Sequence, residues 1–145
     1  MAAELGLAAV GVDGSQTAIS IAQKKAAERG LSVDFKVWSA LELEQLGEQF
    51  DTLLDCGLFH VLSDEDRVAY VASLAQAATP GAMFRMLCFS DRQPGTIGPR
   101  RVSKGEIEGC FTEGWQIESI EPSLFVTTIL PNGAQAWIAA IKRLG

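Results

Sequence analysis

The chain has 145 residues, 48 % of them hydrophobic and 21 % charged, a balance that suits one globular domain and excludes disordered and fibrous classes. Eighteen acidic residues against 12 basic ones leave a net charge of -6, a surface that repels a phosphate backbone, so nucleic acid is not expected as a partner. No charged-then-apolar leader opens the chain, and no apolar run approaches the ~18 residues of a membrane span, so a cytoplasmic protein without membrane contact is expected.

The run Ala8-Ala9-Val10-Gly11-Val12 ends at Asp13-Gly14, as a buried strand would. Ser15 occupies an N-cap position, and Ala18, Ile19, Ala22 and Ala26 follow at helical spacing until Gly30. Leu31 to Val37 alternates like a strand, and a short acidic helix is predicted at about Leu41 to Leu46. Phe50 to Cys56 reads as a second buried strand. Ser63 with Asp66 opens a helix with the stripe Val68, Val71, Ala72, Ala75 and Ala78. Pro80-Gly81 is expected to end that helix, with a third apolar strand over Ala82 to Phe89.

Ser90 to Val102 holds two Pro and two Gly and is expected as a surface loop. Ser103-Lys104-Gly105-Glu106 spells a capping box for a short helix ending near Phe111. Trp115-Gln116-Ile117-Glu118 alternates as a half-covered strand. Pro131-Asn132-Gly133 marks a turn, and Gln135 to Ile141, apolar on both faces, is expected as an interior strand. Cys56, Cys88 and Cys110 are odd in number and far apart, so neither a disulfide framework nor a metal site is expected. Cys56 and Cys88 lie in apolar runs and are expected as small buried hydrophobes.

The chemistry-bearing stretch is Val10-Gly11-Val12-Asp13-Gly14-Ser15. An acid leaving the carboxyl end of a parallel strand sits where such sheets bind ligands, and its carboxylate can accept from both hydroxyls of a ribose. His60, the single histidine, follows directly on the Phe50 to Cys56 strand. It suits either a general base or polar wall of a pocket, or a histidine satisfied by backbone at a helix entry.

In this order, Gly11-Val12-Asp13-Gly14-Ser15, the Ala18 to Ala26 helix, Gly30 and Val33-Phe35-Val37 resemble the second strand, second helix and third strand of the class I S-adenosylmethionine (SAM)-dependent methyltransferases. Phe50 to Asp55 with Gly57-Leu58-Phe59-His60 resembles their fourth strand and active-site loop. Pro80-Gly81 before Met83 to Phe89 resembles the turn into their fifth strand, and the terminal strands resemble their closing antiparallel pair. The resemblance implies an α/β fold over residues 1–145, a three-layer Rossmann-like domain with a mostly parallel sheet and a C-terminal antiparallel hairpin.

It also implies a SAM-dependent enzyme that methylates a small-molecule acceptor. Asp13, with Gly14 and Ser15, would bind the SAM ribose. Ser39-Ala40-Leu41 would meet the adenine, with Ser39 where the family usually has an acid, and Cys56 and Gly57 would lie under the methionine portion. His60 would be the catalytic base. Phe59, His60, Phe89, Arg100 and Arg101 would shape the acceptor pocket. The family's first strand and its Gly-x-Gly-x-Gly loop have no counterpart here, so the domain is expected to be truncated at its N-terminus, with cofactor binding weakened or lost. That strand is central in the family's sheet. Its absence leaves two open edges that are expected to pair, to be filled by another polypeptide, or to drive homodimerisation. Two other readings stay open: an inactive methyltransferase-like module acting through self-association, and an NAD-type dinucleotide-binding fragment.

Overall fold

Two hydrogen-bonded sheets divide the strands, as a computed structural model that describes residues 1–128 and 130–145 reveals. The first holds β1 (Val10–Asp13) and β2 (Asp34–Val37), paired parallel from Val10 opposite Asp34 to Asp13 opposite Val37. Helix α1 (Gln16–Glu28) connects them. Ser15 caps it by accepting from the Ala18 amide, and the helix buries Ile19 alone. The expected strand over Leu31 to Val37 is shorter by three residues, because Gly30 and Leu31 bond back to the last turn of α1.

The second sheet has the order β3-β4-β6-β5. Strand β3 (Phe50–Cys56) pairs parallel with β4 (Ala78–Phe89), while β6 (Ala134–Arg143) runs antiparallel between β4 and β5 (Trp115–Phe125). The interior position of the Gln135 to Ile141 run follows from its residues. Ala136, Ala139, Ala140 and Ile141 are all buried, with a strand on each side. Pro80-Gly81 does not precede the strand, as its turn chemistry suggested, but lies inside β4. The parallel register slips there, between Phe50 and Thr52 of β3. A proline that gives no ladder hydrogen bond is tolerated at such an irregularity.

Helix α2 (Asp64–Ala77), capped by Ser63, packs on a 3₁₀ segment over Ala40–Leu46, and α3 (Lys104–Cys110) carries the full capping box. Val68, read as part of the α2 stripe, is exposed, whereas Arg67, Tyr70, Ser73, Leu74 and Ala77 face inward. Tertiary contact chose the face one residue earlier. The core joins α2 and α3 to the four-stranded sheet through Leu53, Phe59, Tyr70, Leu74, Phe84, Ile107, Phe111, Trp115 and Ile141. Phe84 and Trp115 each lie against Phe111 with ring centres 5.5 and 5.6 Å away, so one aromatic cluster bridges sheet and helices.

The two sheets do not join, because β1 and β3 are not paired with each other. Direct pairing of those edges, one of the expected outcomes, does not occur. Apolar side chains of the N-terminal segment (Leu5, Leu7) and of the 3₁₀ segment (Leu41, Leu43, Leu46) line the space between them instead. Among the described residues no helix is long and apolar enough to cross a membrane.

Candidate functional site

The space between β1 and β3, where the resemblance places the family's first strand, is an open cavity of about 990 Å³. Asp13 and Gly14 border it from the carboxyl end of β1, Ser39, Ala40 and Leu41 from the start of the 3₁₀ segment, and Cys56 from the end of β3. Residues far apart in sequence therefore meet because two parallel strands point their carboxyl ends at one place. Ser15 and Gly57 are not part of that lining. Ser15 spends its hydroxyl on the α1 cap.

The Ser15 amide donates to Asp13 Oδ1 at 2.7 Å, which fixes the carboxylate at the turn and leaves Oδ2 without a partner among the described residues. Ser39 Oγ accepts from the Leu41 amide at 3.2 Å. Cys56 is exposed at the cavity, not the buried hydrophobe its apolar run suggested, since alternation along β3 buries Leu53 and Asp55 instead. Cys88 is buried, and its thiol is pushed up to about 12 by that burial and by the negative charge of Asp55.

Asp55 is the residue that sequence reasoning passed over. It is buried at the end of β3, where Oδ1 accepts from the Leu58 amide at 2.7 Å. Its Oδ2 accepts from the Phe59 amide at 3.0 Å and from the Tyr70 hydroxyl at 3.2 Å. Desolvation raises its carboxyl above the ordinary value, although these bonds work in the opposite direction. The signal was present as an acid inside an apolar strand, with a glycine two residues on. A buried carboxylate there has to be satisfied by the turn it precedes.

That turn delivers His60 to a second, smaller cavity of about 200 Å³, lined by His60, Phe89, Ile97, Gly98, Pro99, Phe125, Thr127 and Leu130. His60, Phe89 and Phe125 stand against one another at ring-centre distances of 5.1, 5.4 and 5.7 Å. The Phe89 amide donates to His60 Nδ1 at 2.9 Å. Phe125 was not foreseen, because β5 continues seven residues beyond Glu118, to Phe125.

Gly57 holds this corner open. Its φ is +99°, and a Cβ there would stand 3.1 Å from Phe125 and 3.5 Å from His60. Replacing Gly57 by Ala is expected to cost about 1–3 kcal/mol through backbone strain alone. Thermal unfolding of the Gly57→Ala chain measures it, and an unchanged midpoint contradicts the reading.

Three of the expected acceptor-pocket residues lie elsewhere. Phe59 is fully buried in the core, with the Arg67 guanidinium 4.4 Å above its ring. Arg100 pairs with Asp64 at 2.6 Å and with Glu106 at 2.8 Å. Arg101 donates to the carbonyls of Gln93, Pro94, Gly95, Ile97 and Pro99, stapling the loop that follows β4. The composition of that loop gave its position, and Arg101 gives it its shape.

Comparison with known proteins bears on the family and the fold. The family described as "Methyltransferase domain" matches residues 1–81. A 2-heptyl-1-hydroxyquinolin-4(1H)-one methyltransferase of Mycobacteroides abscessus is 37 % identical over 124 residues, covering 83 % of this chain and 55 % of that protein. A ubiquinone biosynthesis O-methyltransferase of Mesorhizobium japonicum is 36 % identical over 81 residues, 56 % of this chain and 32 % of its own. This chain thus spans about half the length of the first of these relatives and a third of the second. A solved structure described as the conversion of a disulfide bond into a thioacetal group during echinomycin biosynthesis superposes with a TM-score of 0.86 at 36 % identity. It covers 98 % of this chain and 69 % of that one. The magnesium protoporphyrin IX methyltransferase of Synechocystis PCC 6803 with bound SAM shares the fold, with a TM-score of 0.71 at 21 % identity, over 97 % of this chain and 62 % of its own.

Proposed function

Because the chain belongs to the methyltransferase domain family, we propose that it is part of a SAM-dependent methyltransferase acting on a small-molecule acceptor. The observation that carries this is the meeting of Asp13, Gly14, Ser39, Ala40, Leu41 and Cys56 around one cavity at the carboxyl ends of β1 and β3. The polar groups at its rim, Asp13 and Ser39, support a nucleoside-bearing cofactor there. SAM, when bound, brings a methyl group already activated by a positively charged sulfur, so the protein's share is alignment and desolvation.

Each residue has a role in that reading. Asp13, oriented by the Ser15 amide, accepts hydrogen bonds from the ribose hydroxyls through its uncommitted oxygen. Ala40 and Leu41 cover the adenine, while Ser39 holds their backbone in place. Cys56 lies beneath the methionine portion. Asp55 locks the turn from Gly57 to His60, so the acceptor cavity stays at a fixed place beside the cofactor cavity. The acceptors named for the relatives, a hydroxyquinolone among them, support a small-molecule acceptor.

Calorimetric titration of SAM into the chain tests this. Weak binding is expected, since the glycine-rich loop has no counterpart here, and Asp13→Ala is expected to reduce it about 10- to 100-fold further, the worth of one hydrogen bond to a charged group. No heat of binding, or equal affinity in the variant, overturns the assignment.

A further inference from the structure

His60 is held in one tautomer. The Phe89 amide donates to Nδ1, so Nδ1 offers its lone pair and the ring proton resides on Nε2. Nε2 has no partner among the described residues, nor is it among the side-chain atoms sealed from solvent without one. The ring forms one wall of the 200 Å³ cavity, whose other lining includes Phe89, Phe125, Ile97 and Leu130. Such a lining admits a single planar aromatic ring and offers it edge and face contacts.

A base needs a free lone pair, and this ring has none to spare. Its remaining function is that of a donor. We propose, resting on the reading of this cavity as the acceptor site, that it takes phenol-type ligands as their anions, with the His60 Nε2–H donating to the phenolate oxygen. The phenol's proton leaves to water, and His60 keeps its own throughout. The neutral state of the ring has independent physical support. Burial, with the positive charges of Arg67 and Arg101 adding to it, holds the imidazole down to about 4.

His60 is the chain's single histidine, so selective ¹⁵N labelling gives one imidazole to observe. The expected spectrum shows the Nε2–H tautomer at neutral pH, with no protonation until about pH 4. An Nδ1–H tautomer or an imidazolium at pH 7 overturns the proposal. The ligand arm uses 4-nitrophenol, whose acid and anion differ in colour. The bound probe is expected to ionise about tenfold more readily than the free one. His60→Phe, which keeps a ring and removes the donor, is expected to abolish that gain while the neutral probe still binds. A probe that fails to bind, binds without the shift, or keeps the shift in the variant refutes the inference. Should the variant fail to fold, the labelled wild-type chain decides through the Nε2–H resonance, which is expected to move downfield when the probe binds. A static resonance refutes the proposal. Failure of SAM to bind, with the probe result intact, sinks the cofactor reading and leaves this one standing.

Discussion

Replacing Glu106 by Ala is expected to destabilise the chain by about 4 kcal/mol, lowering the melting temperature by roughly 10–15 °C. Glu106 sits in the first turn of α3 and serves three partners. Its Oε2 accepts from the Ser103 amide at 2.8 Å, completing the capping box, and its Oε1 accepts from Arg100 and Arg67. Arg67 decides the magnitude. It is 2 % exposed, Nε donates to the Phe59 carbonyl, and Nη2 is already a buried donor without a partner. Removing its counter-charge strands a buried cation, a loss of about 3–5 kcal/mol, and partial exposure of Glu106 keeps the effect toward the lower end. Glu106→Gln separates the contributions, since glutamine still closes a capping box. It is expected to cost about 3 kcal/mol, with the remainder belonging to the cap.

The same group predicts the acid limb of the stability curve. Partial burial works to raise the Glu106 carboxyl, but the bonds from Ser103, Arg100 and Arg67 overcome it and hold the group at about 2 instead of 4.5. A carboxyl lowered on folding stabilises the folded state fully above its unfolded value. That contribution fades as the pH falls from about 4.5 through 2. Urea unfolding between pH 2 and 6 is expected to show a slope that Glu106→Gln lacks. An identical slope in both chains refutes the assignment.

The second large effect is at Asp55. Asp55→Asn preserves shape but turns one acceptor oxygen into an NH₂ group facing donors, whichever way the amide is turned. The Leu58 amide lies on one side, and the Phe59 amide and Tyr70 hydroxyl on the other. An orphaned buried donor costs about 1–3 kcal/mol, so a loss of about 2–3 kcal/mol is expected. The local consequence is more telling. Because Asp55 holds the turn that carries His60, the contact between the Phe89 amide and Nδ1 is expected to loosen. The His60 ring would then begin to titrate nearer its ordinary value. Wild-type stability and an unchanged His60 resonance in the Asp55→Asn chain would remove Asp55 from this role.

Much of the fold was legible locally. Ser15, Ser63 and Ser103 announce three helix starts, and all three accept from the amide three residues on. The apolar runs of β3, β4 and β6 mark strands, although β3 is buried on one face only, at Leu53 and Asp55. Asp13, Gly14, Ser39, Ala40, Leu41 and Cys56 were singled out by the family resemblance, and all six border the cavity between β1 and β3.

Tertiary structure decided the rest. Nothing local fixes which face of α2 is buried, and packing against the 3₁₀ segment and the sheet put Arg67 inward instead of Val68. The length of β5, and with it the place of Phe125 in the aromatic cavity, depends on ten paired positions with β6 that no short window contains. Arg100 and Arg101 lie side by side in sequence, yet one finds two carboxylates and the other a ring of carbonyls. The protonation site of His60 is the clearest case. Sequence provides an imidazole after a strand, but the Phe89 amide, 29 residues on, determines which nitrogen carries the proton. Patterns of polarity determine elements because burial acts residue by residue. A hydrogen bond between distant segments exists only once the chain has closed around it.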